Sequence, residues 1–219
     1  MTARPPTPPP FCAIPEPKDD AYTCYPRDPR LELSVYQIKK KQKASQIRRD
    51  IERHFRKYQD DESFFDALRT FKNQETQQII DSLESQPIHN RQRILEALSD
   101  LADNILFAAY QRVFQRLRGK YGAPGFLSSY KQTGETPLAI VGMGKLGGRE
   151  INYQSDLDLI FVYAHKGETL GAPPVDNGQF FIKLAQQLMN TLSVMTATGR
   201  CYQVDTELRP SGNAGTLVT

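Results

Sequence analysis

The chain has 219 residues, 39% of them apolar, with eleven Phe and ten Tyr, enough for one ordinary core with a helical appendage and too little for two full enzymatic domains. Its 28 basic and 25 acidic residues leave a formal charge of +3, a basicity too slight to imply nucleic-acid binding. Cys12, Cys24 and Cys201 are an odd number without close pairing, which argues against a disulfide framework and a zinc site; with no run of eighteen apolar residues and no signal-type N-terminus, a cytoplasmic chain without membrane contact is expected.

In chain order, residues 1–30 hold most of the fifteen prolines, which remove backbone donors and favour extended conformations, so a Pro-rich disordered tail is expected there. Its PPTPPP run is also the composition of a polyproline ligand. Residues 31–121 contain a single proline, Pro87, and their apolar residues recur at helical spacing, which predicts a helical segment of about three helices. The first, near residues 33–56, is polar and carries the basic run Lys39, Lys40, Lys41, Lys43, Arg48 and Arg49, a solvated face or a contact for an acidic partner. A second begins around Phe64, Phe65, Leu68 and Phe71 with Asp61 or Ser63 as cap. The third carries the stripe Ile94, Leu95, Leu98, Leu101, Ala102, Ile105, Leu106, Ala109, Val113 and Leu117, and ends near Gly119 or Gly122.

Residues 122–219 differ in texture. Gly122, Pro124 and Gly125 stop the helix, and a polar loop leads to a short strand at residues 137–141. Glycines cluster from Gly142 to Gly148; LDLIFVY at residues 157–163 reads as a buried strand; Phe180, Phe181, Leu184, Leu188, Leu192 and Met195 mark an amphipathic helix ending at Gly199. A third strand is expected over residues 201–209, and a fourth at the end of the chain. Strand, glycine turn, short helix, strand, helix, strand is an α+β order.

Gly142, Gly144 and Gly147 match G-x-G-x-x-G after a strand, the dinucleotide-binding pattern. That fold needs a helix of several turns before its second strand, and only about nine residues separate Gly147 from Leu157. The alternative takes Gly147 and Gly148 as a turn that cradles phosphate, with Asp156 and Asp158 as paired carboxylates. Side chains two apart on a strand share a face, so these two acids can converge. They repel unless a cation lies between them, and oxygen-only ligation suits magnesium. Asp205, in the apolar strand candidate downstream, completes a cluster able to hold two magnesium ions if its strand neighbours the other, with Asp205 as ligand and candidate base. Ser155 either meets a phosphate or caps its turn, while Lys145, Arg149 and Arg209 can neutralise triphosphate charge.

The stretch VGMGKLGGREINYQSDLDLIFVY, followed by YQVDTELRPSGNAGTLVT, resembles the glutamate-ammonia-ligase adenylyltransferase family of the DNA polymerase beta-like nucleotidyltransferase superfamily. The intervening GQFFIKLAQQLMNTLSVMTATG and the upstream FFDALRTFKNQE are also similar, so the likeness covers roughly residues 61–219. It implies a polymerase beta-like domain, a small mixed sheet flanked by helices, preceded by a helical segment. The family carries two such domains: one attaches AMP from ATP to a tyrosine of glutamine synthetase, and the other removes it by phosphorolysis. Ser211 in LRPSGNAG and the LVT ending are more similar to the adenylylating domain. Carried over, Asp156, Asp158 and Asp205 are the metal-binding acids, and Gly147 and Gly148 flank the ATP phosphates. The partners implied are glutamine synthetase and, as candidate regulator, a PII-type signal protein.

The chain departs from the family pattern at Glu207, where D-x-R-L-R usually has Arg. The family's adenylylating domain also runs on into a helical domain, so a catalytic unit truncated at its C-terminus is expected. These departures leave a second reading beside the enzyme: a catalytically silent module that binds glutamine synthetase or a regulator.

Overall fold

Leu157, Leu159 and Phe161 are fully buried on one face of a single strand, and the core is assembled around them. A computed structural model of the chain describes residues 24–25, 53, 55, 57–84, 91–127, 133–208 and 217–218. Its elements are β1 (Cys24–Tyr25), α1 (Asp61–Glu84), α2 (Arg91–Tyr121), β2 (Gly125–Leu127), β3 (Thr133–Glu135), β4 (Leu138–Gly142), α3 (Gly144–Gly147), β5 (Leu157–Tyr163), α4 (Asn177–Ser193) and β6 (Val204–Asp205).

The main sheet has the order β1-β4-β5-β6. β4 is antiparallel to both β1 and β5, and β5 is parallel to β6, which makes the sheet mixed. β2 and β3 form a separate hairpin within the stretch expected as a polar loop; three-residue strands are too short to show a period-2 pattern. Of the first thirty residues, only Cys24 and Tyr25 are described, paired with Val141 and Ile140; the rest of the expected tail lies outside the described residues. So does the first expected helix, apart from residues 53 and 55, which are helical.

The start of α1 is set by Asp60, just ahead of the expected caps Asp61 and Ser63. Its carboxylate accepts the Ser63 hydroxyl and, at 2.8 Å, the Ser63 N–H, and these hydrogen bonds hold its carboxyl below the ordinary value. Arg112 and Arg116 reach from α2 to Asp61, which ties the two helices together at this end. α2 stops at Gly122, whose φ of +80° puts it in the left-handed region that terminates helices. α4 is capped by Asp176, which accepts the Gln179 N–H at 3.1 Å. None of the described helices is long and apolar enough to cross a membrane.

One buried cluster runs from Phe55 through α1, α2 and α4 to Val204 and Val218. The helical segment and the sheet therefore share a core, with helices against one face of β4 and β5. This α+β arrangement of a small mixed sheet with a helical segment before it is consistent with a polymerase beta-like domain. Within the core, Phe181 is fully buried, edge-on to Phe180 at 5.4 Å and tilted against Tyr163 at 5.3 Å. Replacing it with alanine leaves a void at the junction of α4 and β5. Phe181→Ala is expected to lower unfolding stability by about 3–5 kcal/mol, measured as the shift of the urea midpoint at unchanged slope.

Candidate active site

β5 alternates strictly: Leu157, Leu159 and Phe161 turn into the core, and Asp158 and Ile160 face the other way, half-buried. β6 repeats the pattern in two residues, with Val204 in the core and Asp205 half-buried. The parallel register pairs Leu157 with Val204 and Asp158 with Asp205. Two carboxylates thus stand side by side on the face of the sheet opposite Leu157, Leu159 and Val204. Asp156 lies two residues before Asp158 and is exposed.

β6 is short, so its position depends on its neighbours. The Leu157 N–H donates to the Gln203 carbonyl at 2.9 Å, and the Val204 N–H donates to Ser193 Oγ at 3.2 Å. Arg69 and Asn73 of α1 donate to the Thr191 and Thr198 carbonyls, holding the turn that leads into β6. Past the strand, the Glu207 N–H donates to Asp205 Oδ1 at 2.7 Å and fixes that carboxylate's rotation.

The glycine turn lies directly over this face. The Met143 N–H donates to the Asp158 carbonyl at 2.8 Å. Gly144 has a φ of +50°, and a Cβ there would come within 2.1 Å of Asp158 Oδ2. Only glycine fits. Gly144 is therefore the glycine closest to the acids, a role the sequence did not single out because nothing local shows which glycine meets the next strand. Gly147 is also crowded, its missing Cβ 2.8 Å from the Gly142 carbonyl, whereas Gly148 is more open.

Burial first, then the charges of Asp205 and Asp156, hold the Asp158 carboxyl above its ordinary value of 3.8, against an opposing pull from Lys145. Among the described residues, no three acidic, histidine or cysteine side chains are drawn together into a closed metal-binding group. The structure brings Asp158 and Asp205 into register, with Asp156 close enough to act on Asp158 electrostatically.

The remaining expected residues divide. Lys145 sits exposed on α3 and acts on Asp158. Ser155 is buried, and its Oγ accepts the Asn152 N–H at 3.0 Å, which is the turn-capping arrangement. Arg149 turns toward α2 and pairs with Asp100 and Asp103. Arg209 and Ser211 lie outside the described residues.

The profile of the family described as glutamate-ammonia ligase adenylyltransferase matches residues 26–219. The bifunctional glutamine synthetase adenylyltransferase/adenylyl-removing enzyme of Alteromonas mediterranea is 44% identical over 156 residues, covering 69% of this chain and 15% of that protein. The enzyme of the same description from Mannheimia haemolytica is 42% identical over 155 residues, covering 69% of the chain and 15% of the protein. That from Thioalkalivibrio sulfidiphilus is 47% identical over 121 residues, covering 55% and 12%. The chain thus matches about 15% of the length of these curated relatives.

The raised proton affinity of Asp158 has a sign that can be measured. Folding favours its protonated form, so this contribution to stability is present below the ordinary carboxylate value and is lost as pH rises through the higher folded value. In buffer containing a chelator, Asp158→Asn is expected to lose less stability than the native chain between pH about 4 and neutrality. Urea midpoints across that range check this, and parallel curves for the two chains would show that folding does not raise the proton affinity of Asp158.

Proposed function

The chain belongs to the glutamate-ammonia ligase adenylyltransferase family, and from that premise we propose that residues 122–219 transfer AMP from ATP to a tyrosine of glutamine synthetase. The observation that carries the reading is the pairing of Asp158 with Asp205 across parallel strands beneath the glycine turn. In the transfer, the tyrosine oxygen bonds to the α-phosphorus of ATP, the bond to the bridging oxygen breaks, and pyrophosphate leaves. The hydroxyl proton goes to a base, and Asp205, fixed by the Glu207 N–H, is the candidate.

Asp156, Asp158 and Asp205 would hold magnesium, and the donor set fits. All the ligands are oxygens, and Asp158 is destabilised as an anion by burial first and then by the other two acids, a repulsion that a divalent cation relieves. When bound, magnesium supplies charge neutralisation for the triphosphate and a lower pKa for the attacking hydroxyl. Lys145 is placed to add positive charge on the same side, and Gly144 lets the turn approach the acids without a side chain. The similarity of the LRPSGNAG stretch to the adenylylating domain supports attachment over removal of AMP. Regulation by a PII-type signal protein belongs to the same proposal.

A silent-module reading keeps one observation on its side: Glu207 is an exposed acid beside Asp205. Transfer of label from α-labelled ATP to glutamine synthetase separates the two. With magnesium, label is expected on a tyrosine, and the double variant Asp156→Asn, Asp158→Asn is expected to lose activity by about a hundredfold or more, since even outer-sphere losses at metal sites cost ten- to a hundredfold. A folded chain that binds MgATP without transferring label would mark an incomplete catalytic unit. One that binds no nucleotide would favour the silent module.

A further inference from the structure

The segment between the glycine turn and Asp156 is held from outside the sheet. Arg149, at its start, has a φ of +59°, the only positive φ outside glycine among the described residues. A left-handed backbone is unfavourable for an L-residue with a side chain, and it persists only where surrounding contacts impose it. Those contacts come from α2. The Arg149 guanidinium pairs with Asp100 and, at 2.6 Å, with Asp103, whose side chains are 8% and 6% exposed. It also reaches the Glu96 carbonyl at 3.5 Å. Two residues on, the buried Ile151 N–H donates to Ser99 Oγ at 3.2 Å.

Ser99, Asp100 and Asp103 share one side of α2 within little more than a turn, so the helix offers a polar seat for a segment that would otherwise be an unsupported loop. From Ile151 the chain closes through reciprocal Asn152 and Ser155 hydrogen bonds and delivers Asp156 to the start of β5. Swinging Arg149 toward a triphosphate would break its ion pairs with two buried carboxylates, a costly change where charges are shielded from water.

We propose that Arg149 is a positioning residue: through Asp100 and Asp103 it locks residues 149–156 onto α2 and thereby sets the location of Asp156, instead of contacting the nucleotide as its place in the motif suggests. This rests on the adenylyl-transfer reading for its catalytic consequence but not for its structural one. The helical segment becomes, through α2, part of the active site's frame.

The test uses the full chain with Arg149→Ala, Asp103→Asn and the two combined. Asp103→Asn keeps the side chain's size, so it remains informative if Arg149→Ala folds poorly. Three quantities are measured: amide hydrogen exchange of residues 150–156, equilibrium binding of MgATP, and kcat for AMP transfer to glutamine synthetase. Each single variant is expected to speed exchange in that segment by on the order of tenfold and to lower kcat by roughly ten- to a hundredfold, with MgATP affinity changed by less than about threefold. The double variant is expected to be no worse than the poorer single one, because both break the same contact.

If Asp103→Asn leaves exchange and kcat at native values while Arg149→Ala alone weakens MgATP binding, Arg149 is a nucleotide ligand and the proposal falls. It falls equally if both variants only lower thermal stability. A native chain that transfers no AMP would sink the functional reading by itself, with the exchange data still deciding the clamp.

Discussion

Asp158 and Asp205 are like charges fixed side by side by a parallel strand register, and most of what surrounds them follows from that constraint. The two strands could have placed neutral residues there. Instead, the alternation that sends Leu157, Leu159 and Phe161 into the core sends Asp158 to the opposite face, and β6 repeats the choice with Val204 in the core and Asp205 beside Asp158. The apolar side of the ladder stabilises the pairing, and that stability is what allows the polar side to hold repelling groups together. Burial first, and then this repulsion, hold the Asp158 carboxyl above its ordinary proton affinity.

Support for this arrangement comes from three directions. The glycine turn comes down from β4 and meets Asp158 so closely that Gly144 has room for a hydrogen only. α1 and the end of α4 fix the turn into β6, through Arg69, Asn73 and Ser193. α2 holds the segment that delivers Asp156, through Ser99, Asp100 and Asp103. Each acid thus has its own anchor, and the helices that carry the anchors contribute to one continuous core. The helices before residue 122 are accordingly part of the site's mechanical frame.

Arg149 illustrates how a motif residue can be misplaced by its neighbourhood. A cation directly after a phosphate-type turn invites assignment to the phosphate, and its charge alone supports that. The left-handed backbone and the two buried acids on α2 redirect it. Ser155 is a milder case: the sequence left phosphate contact and turn capping equally open, and the Asn152 N–H on its hydroxyl is the capping arrangement.

LDLIFVY is legible as a strand because seven residues suffice for a period of two, and the third helix because its apolar stripe persists over more than six turns. The grouping of Asp156 with Asp158 follows from the same periodicity, and the family from the joint G-K-L-G-G-R-E, S-D-L-D-L and L-R-P-S-G runs. Elements of two to four residues are hidden: β6 shrinks from an expected nine-residue strand to Val204–Asp205, and the β2–β3 hairpin has no signal. The sequence by itself determined which residues alternate, which faces are apolar and which acids lie two apart, since these are properties of neighbours along the chain. Only the tertiary structure decided that Asp205 stands beside Asp158, that Gly144 meets its carboxylate and that Arg149 turns to α2, because strand register, close approach and ion-pair choice are set between segments that are dozens of residues apart or joined by a turn no local period encodes.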